Sequence, residues 1–289
     1  MEQAHNIVFT TVDKTAWLQL IVSYYQSYAG LGKGRCVYIS FSNLITVKGL
    51  TPMHLVTLAC LIQFLLDNGW KPYLSSNNEE VDDYIYNDLC FSEYWMGKKN
   101  HVDTIQSSHI FNLWRVIDDE KDLYAKEVER YFKHNYFHNK DLSAISLSLT
   151  EAFYNVFDHA NAKDNAFSLI MYDKDKQVLH AAISDFGIGV AKSVRNYLPT
   201  IGDDKAALLK AVENNFTVKS TGRNKGKGLD NILSCANVSR LCSGHALLVD
   251  INRERRCYNV NFYFPGTLLY FEVNLAQMED EEILDSFDF

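Results

Sequence analysis

Apolar residues recur at two distinct periods along this 289-residue chain, and the switches between them mark out its elements. Over residues 142–160, Leu142, Ile145, Leu149, Ala152, Val156 and Ala160 return every three or four positions, which predicts an amphipathic helix. Residues 178–184 form a largely apolar run of strand length that breaks into a glycine turn. Leu229, Ile232, Leu233 and Ala236 resume helical spacing directly after Gly228. In the first half, residues 17–29 read as a helix and residues 36–41 as a strand. Thr51-Pro52 reads as the cap and first turn of an apolar helix over 53–66, which Asp67-Asn68-Gly69 closes. A short strand over 70–74 and a helix over 77–89, built on Val81, Tyr84, Ile85 and Leu89, come next. Strand, helix, strand, helix predicts a parallel sheet with right-handed crossovers. Residues 121–137 read as a further helix.

Polar residues placed on this frame supply the chemistry. Glu151, Asn155 and His159 follow one another at steps of four, so they line one face of the 142–160 helix beside its apolar stripe. Asp185-Phe186-Gly187-Ile188-Gly189 ends the 178–184 strand. Its glycines permit positive φ and close approach to a ligand, and its Asp supplies an acceptor beside that opening. Gly226-Lys227-Gly228-Leu229 opens the next helix, and amides freed at a helix N-terminus form an anion site. The preceding residues 219–225, including Arg223 and Lys225, are polar and cationic, as a phosphate-covering lid requires. Taken singly, the three motifs also read as a solvated helix face, a turn and a loop.

As an ordered set they closely resemble the GHKL (Bergerat-fold, histidine-kinase-like) ATPase family over residues 141–275. The run Glu151-Ala152-Phe153-Tyr154-Asn155-Val156-Phe157-Asp158-His159-Ala160 is most similar to the first motif of the anti-sigma-factor serine kinases. Pro265-Gly266-Thr267, with the apolar strand that follows, resembles the family's last strand. The resemblance implies a two-layer α/β sandwich that binds ATP and Mg²⁺. It implies Asn155 as the metal ligand and Glu151 as the group that polarises the attacking water or hydroxyl. Asp185 would accept the adenine amine with help from Thr267, which favours ATP over GTP because a carboxylate cannot donate. Gly187 and Gly189 would approach base and sugar, while Gly226 and Gly228, with Leu229 behind them, would present amides to the phosphates. Lys225, Lys227 or Arg223 would add charge-assisted bonds. His159 reads as a hydrogen-bonding neighbour of the phosphate site. A sensor kinase would need a phosphoacceptor His, and the surroundings of His134 and His138 lack that pattern.

The rhythm of residues 36–95 loosely resembles a STAS-type domain, the fold of anti-sigma-factor antagonists. Such domains often carry an Asp-Ser phosphorylation site at the first helix; Lys48-Gly49-Leu50-Thr51 has no Asp, so Thr51 reads as a helix cap. Gly30-Leu31-Gly32-Lys33-Gly34 is not a phosphate loop, because a helix precedes it and a strand follows. The expected α/β organisation is a STAS-like domain over 1–100, a helical connector over 101–140, a GHKL-type ATP-binding domain over 141–276 and an acidic tail over 277–289. No Pro/Gly/Ser-rich linker separates the halves, so tight packing between them is expected.

Composition adds exclusions. The net charge is −8, and six acidic residues of the tail account for most of it, so charge gives no support to nucleic-acid binding. The tail reads as a solvated segment whose Ile283, Leu284, Phe287 and Phe289 leave room for docking. Six cysteines show no metal spacing with His and predict reduced thiols in a cytoplasmic protein. No apolar run is long enough to span a bilayer, and the N-terminus has no signal-peptide pattern. Two functions follow as expectations. One is an ATPase or Ser/Thr kinase acting on a regulatory protein partner; the other is a nucleotide-gated interaction module that binds ATP without significant turnover. The sequence leaves homodimerisation open.

Overall fold

Three strands form a parallel sheet in the order β1 (His5–Phe9), β2 (Cys36–Phe41), β3 (Lys71–Leu74). The computed structural model describes residues 5–31, 36–75, 77–91, 94, 109–159, 166–213, 216 and 228–278. Strand β1 was not anticipated; the other two fall where the apolar runs predict. Ile7, Phe9, Val37, Ile39 and Phe41 alternate onto the covered face of this sheet, and Val8, Tyr38 and Tyr73 onto its exposed face.

Helix α1 (Lys14–Ala29) starts where the Asp13 side chain accepts the Ala16 N–H at 2.8 Å, and it stops at Gly30. Helix α2 (Pro52–Asp67) has proline in its first turn and a capping box in which His54 takes the part usually played by Glu or Gln. Nearly every residue from Pro52 to Leu65 is buried. A helix apolar on all sides must be covered on all sides. Its second cover is a five-stranded antiparallel sheet in the order β4 (Ile110–Val116), β5 (Ala166–Asp173), β6 (Val178–Asp185), β8 (Glu254–Asn274), β7 (Val238–Ile251).

Both faces of the five-stranded sheet are buried. Phe167, Leu169, Ala182, Leu268 and Tyr270 share one apolar cluster with α1, α2 and the parallel sheet, so the two halves of the chain meet in a common core. Ile170, Leu179, Ala181, Ile183, Leu269, Phe271 and Val273 face a second cluster beneath α4 (Lys121–Asn135) and α5 (Ser143–His159), both numbered after the short α3 (Glu79–Asp83). The same face is also covered by α6 (Val190–Tyr197), α7 (Asp204–Ala211) and α8 (Gly228–Cys235). Each fully buried side chain of Leu58 type is worth about 1.5–3 kcal/mol over its exposed state. Of the segment expected as a helical connector, the described part carries β4 as well as the anticipated helix. The expected 77–89 helix is α3 followed by a π-helical turn, Tyr84–Asp88.

His54 gives this fold an acid-sensitive joint. Its Nδ1 accepts the Thr51 N–H at 3.0 Å, while Nε2 lies 3.0 Å from the Val12 carbonyl and must carry the proton to bond it. Nδ1 also lies 2.9 Å from the Thr51 hydroxyl. Burial is the largest influence on the imidazole and pushes it down to about 4. Because the folded value lies below the unfolded one, the associated stability is complete above pH ~6.5 and is lost as pH falls toward 4, a swing of about 3 kcal/mol. His54→Gln keeps a capping acceptor and cannot titrate. In urea melts between pH 4 and 7.5, the stability difference between wild type and His54→Gln is expected to shrink steadily with acid. A difference that does not vary with pH would refute the assignment.

Candidate functional site

Strand β6 ends in Asp185, which pairs directly with Thr267 of β8. Strand alternation puts Asp185 on the face of Leu179, Ala181 and Ile183, and Thr267 on that of Leu269 and Phe271. Both therefore lie on the side covered by α4 to α8. The Asp185 carboxylate is fully buried. Its Oδ1 accepts the Gly187 N–H at 2.6 Å and its Oδ2 the Thr267 N–H at 3.2 Å. Desolvation outweighs these two bonds and pushes the group up to about 7. A carboxylate offers about four lone-pair positions, so each oxygen retains one for a further donor.

The glycine turn after Asp185 is built for close contact between backbones. Gly189 has φ +78° and caps α6, and Gly266 has φ +83°. A Cβ on Gly189 would strike the Gly266 carbonyl and the Ser243 hydroxyl, and one on Gly266 would strike the Asp185 carbonyl. With both glycines in place the start of α6 docks onto β8. The Val190 N–H donates to Thr267 Oγ1 at 3.1 Å and the Ala191 N–H to Ser243 Oγ at 3.3 Å, while Ser243 donates to the Gly266 carbonyl at 2.8 Å. Gly187 and Gly189, expected near base and sugar, thus have a role toward the protein itself: one amide binds Asp185 and one close approach seats α6.

Helix α5 carries the first motif. Leu149, Ala152 and Phe153 anchor it in the core, and Ser148 Oγ lies 3.1 Å from Cys235 Sγ at the end of α8. It also touches β6 and α6, so the helix bearing Glu151 and the sheet end bearing Asp185 and Thr267 belong to one face. Glu151 is half-buried, and desolvation raises its pKa above the ordinary carboxylate value. The adjoining Tyr154 ring receives the Lys121 ammonium at 4.5 Å. Helix α5 runs through Asn155 and His159, whose side chains lie outside the described residues, as do Arg223, Lys225, Gly226, Lys227 and the tail from Glu279. Gly228 is the first residue of α8, and Leu229 is buried beneath it.

Sequence reasoning overlooked Ser243 and Ser184. Ser184 donates to the Thr267 carbonyl at 3.2 Å from the opposite face of β6 and lies beside the Cys60 thiol of α2. The available signal is a serine inside an apolar strand, where a buried hydroxyl requires a partner. A cleft of about 950 Å³ between β3 and α3, lined by Lys71, Tyr73, Asp82 and Tyr86, shares no residue with the three motifs. All six cysteines are free, and among the described residues no helix is long and apolar enough to cross a membrane. No known protein-family model and no curated protein matches the chain.

Proposed function

We propose that this chain binds ATP and Mg²⁺ in a GHKL-type site and acts as a regulatory ATPase or Ser/Thr kinase on a protein partner. The observation that carries this reading is the pairing of Asp185 with Thr267 on the sheet face beneath the helix that bears Glu151. A buried carboxylate with lone pairs to spare is an acceptor for an exocyclic amine and repels a carbonyl, which selects adenine over guanine. Helix α8 begins at Gly228, and its first amides suit a phosphate. A neutral amide oxygen on α5, that of Asn155, suits a hard cation that retains water ligands. When bound, Mg²⁺ would neutralise phosphate charge; Glu151 would orient the attacking water or hydroxyl and take its proton. Burial supports that role, since a carboxylate with a raised pKa is a stronger base than an exposed one.

A second reading, a nucleotide-gated interaction module, draws support from the core shared by α1, α2 and the back of the same sheet. In that reading nucleotide binding alone changes the N-terminal surface. Calorimetry tests the common premise. ATP with Mg²⁺ is expected to bind at least about 100-fold more tightly than GTP, the discrimination typical of a site whose polar groups go unpaired with the wrong base. Equal affinities, or no heat with either nucleotide, would remove the site.

A further inference from the structure

Phe186 stands between the Asp185 carboxylate and the Gly187 amide that caps it, yet its ring points the opposite way. It meets Tyr25 of α1 edge-on at 5.2 Å between centroids and Phe264 of β8 at 5.9 Å. Tyr25 in turn leans on Phe64 of α2 at 4.4 Å. Beside Phe186 lies a partly open cleft of about 130 Å³, walled by Cys60, Gln63, Phe64, Phe167 and the exposed Asp67 among others. A cleft next to an aromatic ring gives that ring somewhere to go.

The two ends of this turn are mechanically linked. Gly187 N–H closes on Asp185 Oδ1 at 2.6 Å on the helix-covered face, while the adjoining ring is held by the N-terminal layer on the other. Asp185 is fully buried, so a ligand reaches its spare lone pairs only if the turn beside it moves, and swinging the Phe186–Gly187 peptide carries the ring with it. We propose that Phe186 is a latch: docked against Tyr25 and Phe264, it keeps the Asp185 edge closed, and nucleotide entry undocks it toward the cleft beside Cys60. Phe186 is thus a positioning residue, and α1 becomes the element through which the N-terminal layer sets access to the site. The latch rests on the reading of Asp185 as the adenine acceptor.

The sign of the effect separates a latch from a merely structural contact. Loss of a supporting contact weakens binding, whereas release of a latch strengthens it. Phe186→Ala and Tyr25→Ala, the latter remote from the nucleotide face, are each expected to bind a fluorescent ATP analogue with Mg²⁺ about two- to tenfold more tightly than wild type, the range set by one lost aromatic pair. Wild-type binding that neither folded variant improves would overturn the latch and leave the site standing. Absence of binding by wild type and both variants would overturn the site reading and the latch together.

Discussion

Asp185→Asn is expected to weaken ATP binding about 100-fold at pH 8, the worth of a charge-assisted hydrogen bond in a desolvated position. The wild-type pH dependence makes the prediction sharper. An adenine amine needs the ionised carboxylate, and in the empty protein that group titrates at about 7. Below this value each binding event must expel a proton, so the dissociation constant is expected to rise about tenfold per pH unit between 7 and 5. Calorimetry in buffers of differing ionisation heat would register the release. Asp185→Asn should show neither the slope nor the proton. A flat wild-type profile would rule out Asp185 as the base acceptor. The empty protein bears a matching cost: because the folded value is raised, the stability tied to this group is complete below pH ~4 and is lost as pH rises through about 7. That trend runs opposite to the one set by His54, so the two offset each other in wild type and only differences between variant and wild type resolve them. Asn also offers one oxygen where Asp185 uses two, against the Gly187 and Thr267 amides, so a modest loss of thermal stability should accompany the loss of binding.

An apolar stripe beside a polar one made α4, α5 and α8 legible, and α5 shows this in starting within a residue of the predicted boundary, whereas α6 and α7 were not anticipated. The fully apolar stretch of α2 marked a helix but could not say that a sheet lies on each side of it. Strand β1 escaped because five residues with only Ile7 and Phe9 inward make too short an alternation. Only residues 268–273 of the 21-residue strand β8 were anticipated. Its hairpin with β7 turns on Asn252-Arg253, at φ +50° and +69°, with no glycine to announce the turn. Ser243-Gly244-His245 interrupts the apolar run of β7 and hides it further. Within the candidate site, residue types and local spacing identified Asp185 and Thr267 through the family resemblance. Their direct pairing across two strands is a property of register, and so is the approach of Gly189 to Gly266. The Phe186 contact with α1 joins positions far apart in the chain, and no local pattern encodes it.

Glu151→Ala is the variant that separates a catalyst from a nucleotide-gated module. Removing a positioned general base costs about 10²- to 10⁴-fold in rate, whereas a carboxylate placed to act on the nucleophile contributes little to holding the nucleotide. With γ-labelled ATP under single-turnover conditions, wild type is expected to release or transfer phosphate, and Glu151→Ala to retain ATP affinity within about threefold while losing turnover by that factor. Burial raises the Glu151 pKa, so the acid limb of the wild-type rate profile should lie above the ordinary carboxylate range. Glu151→Gln, which preserves shape without basicity, should lose the rate to a similar degree; recovery of turnover in Gln would mean that Glu151 acts through packing. Turnover equal in wild type and Glu151→Ala would place the chemistry elsewhere. ATP binding with no turnover in any variant would leave a module whose output is conformational. The shared core of α1, α2 and the sheet behind Asp185 would then be the route by which an occupied site changes the N-terminal surface.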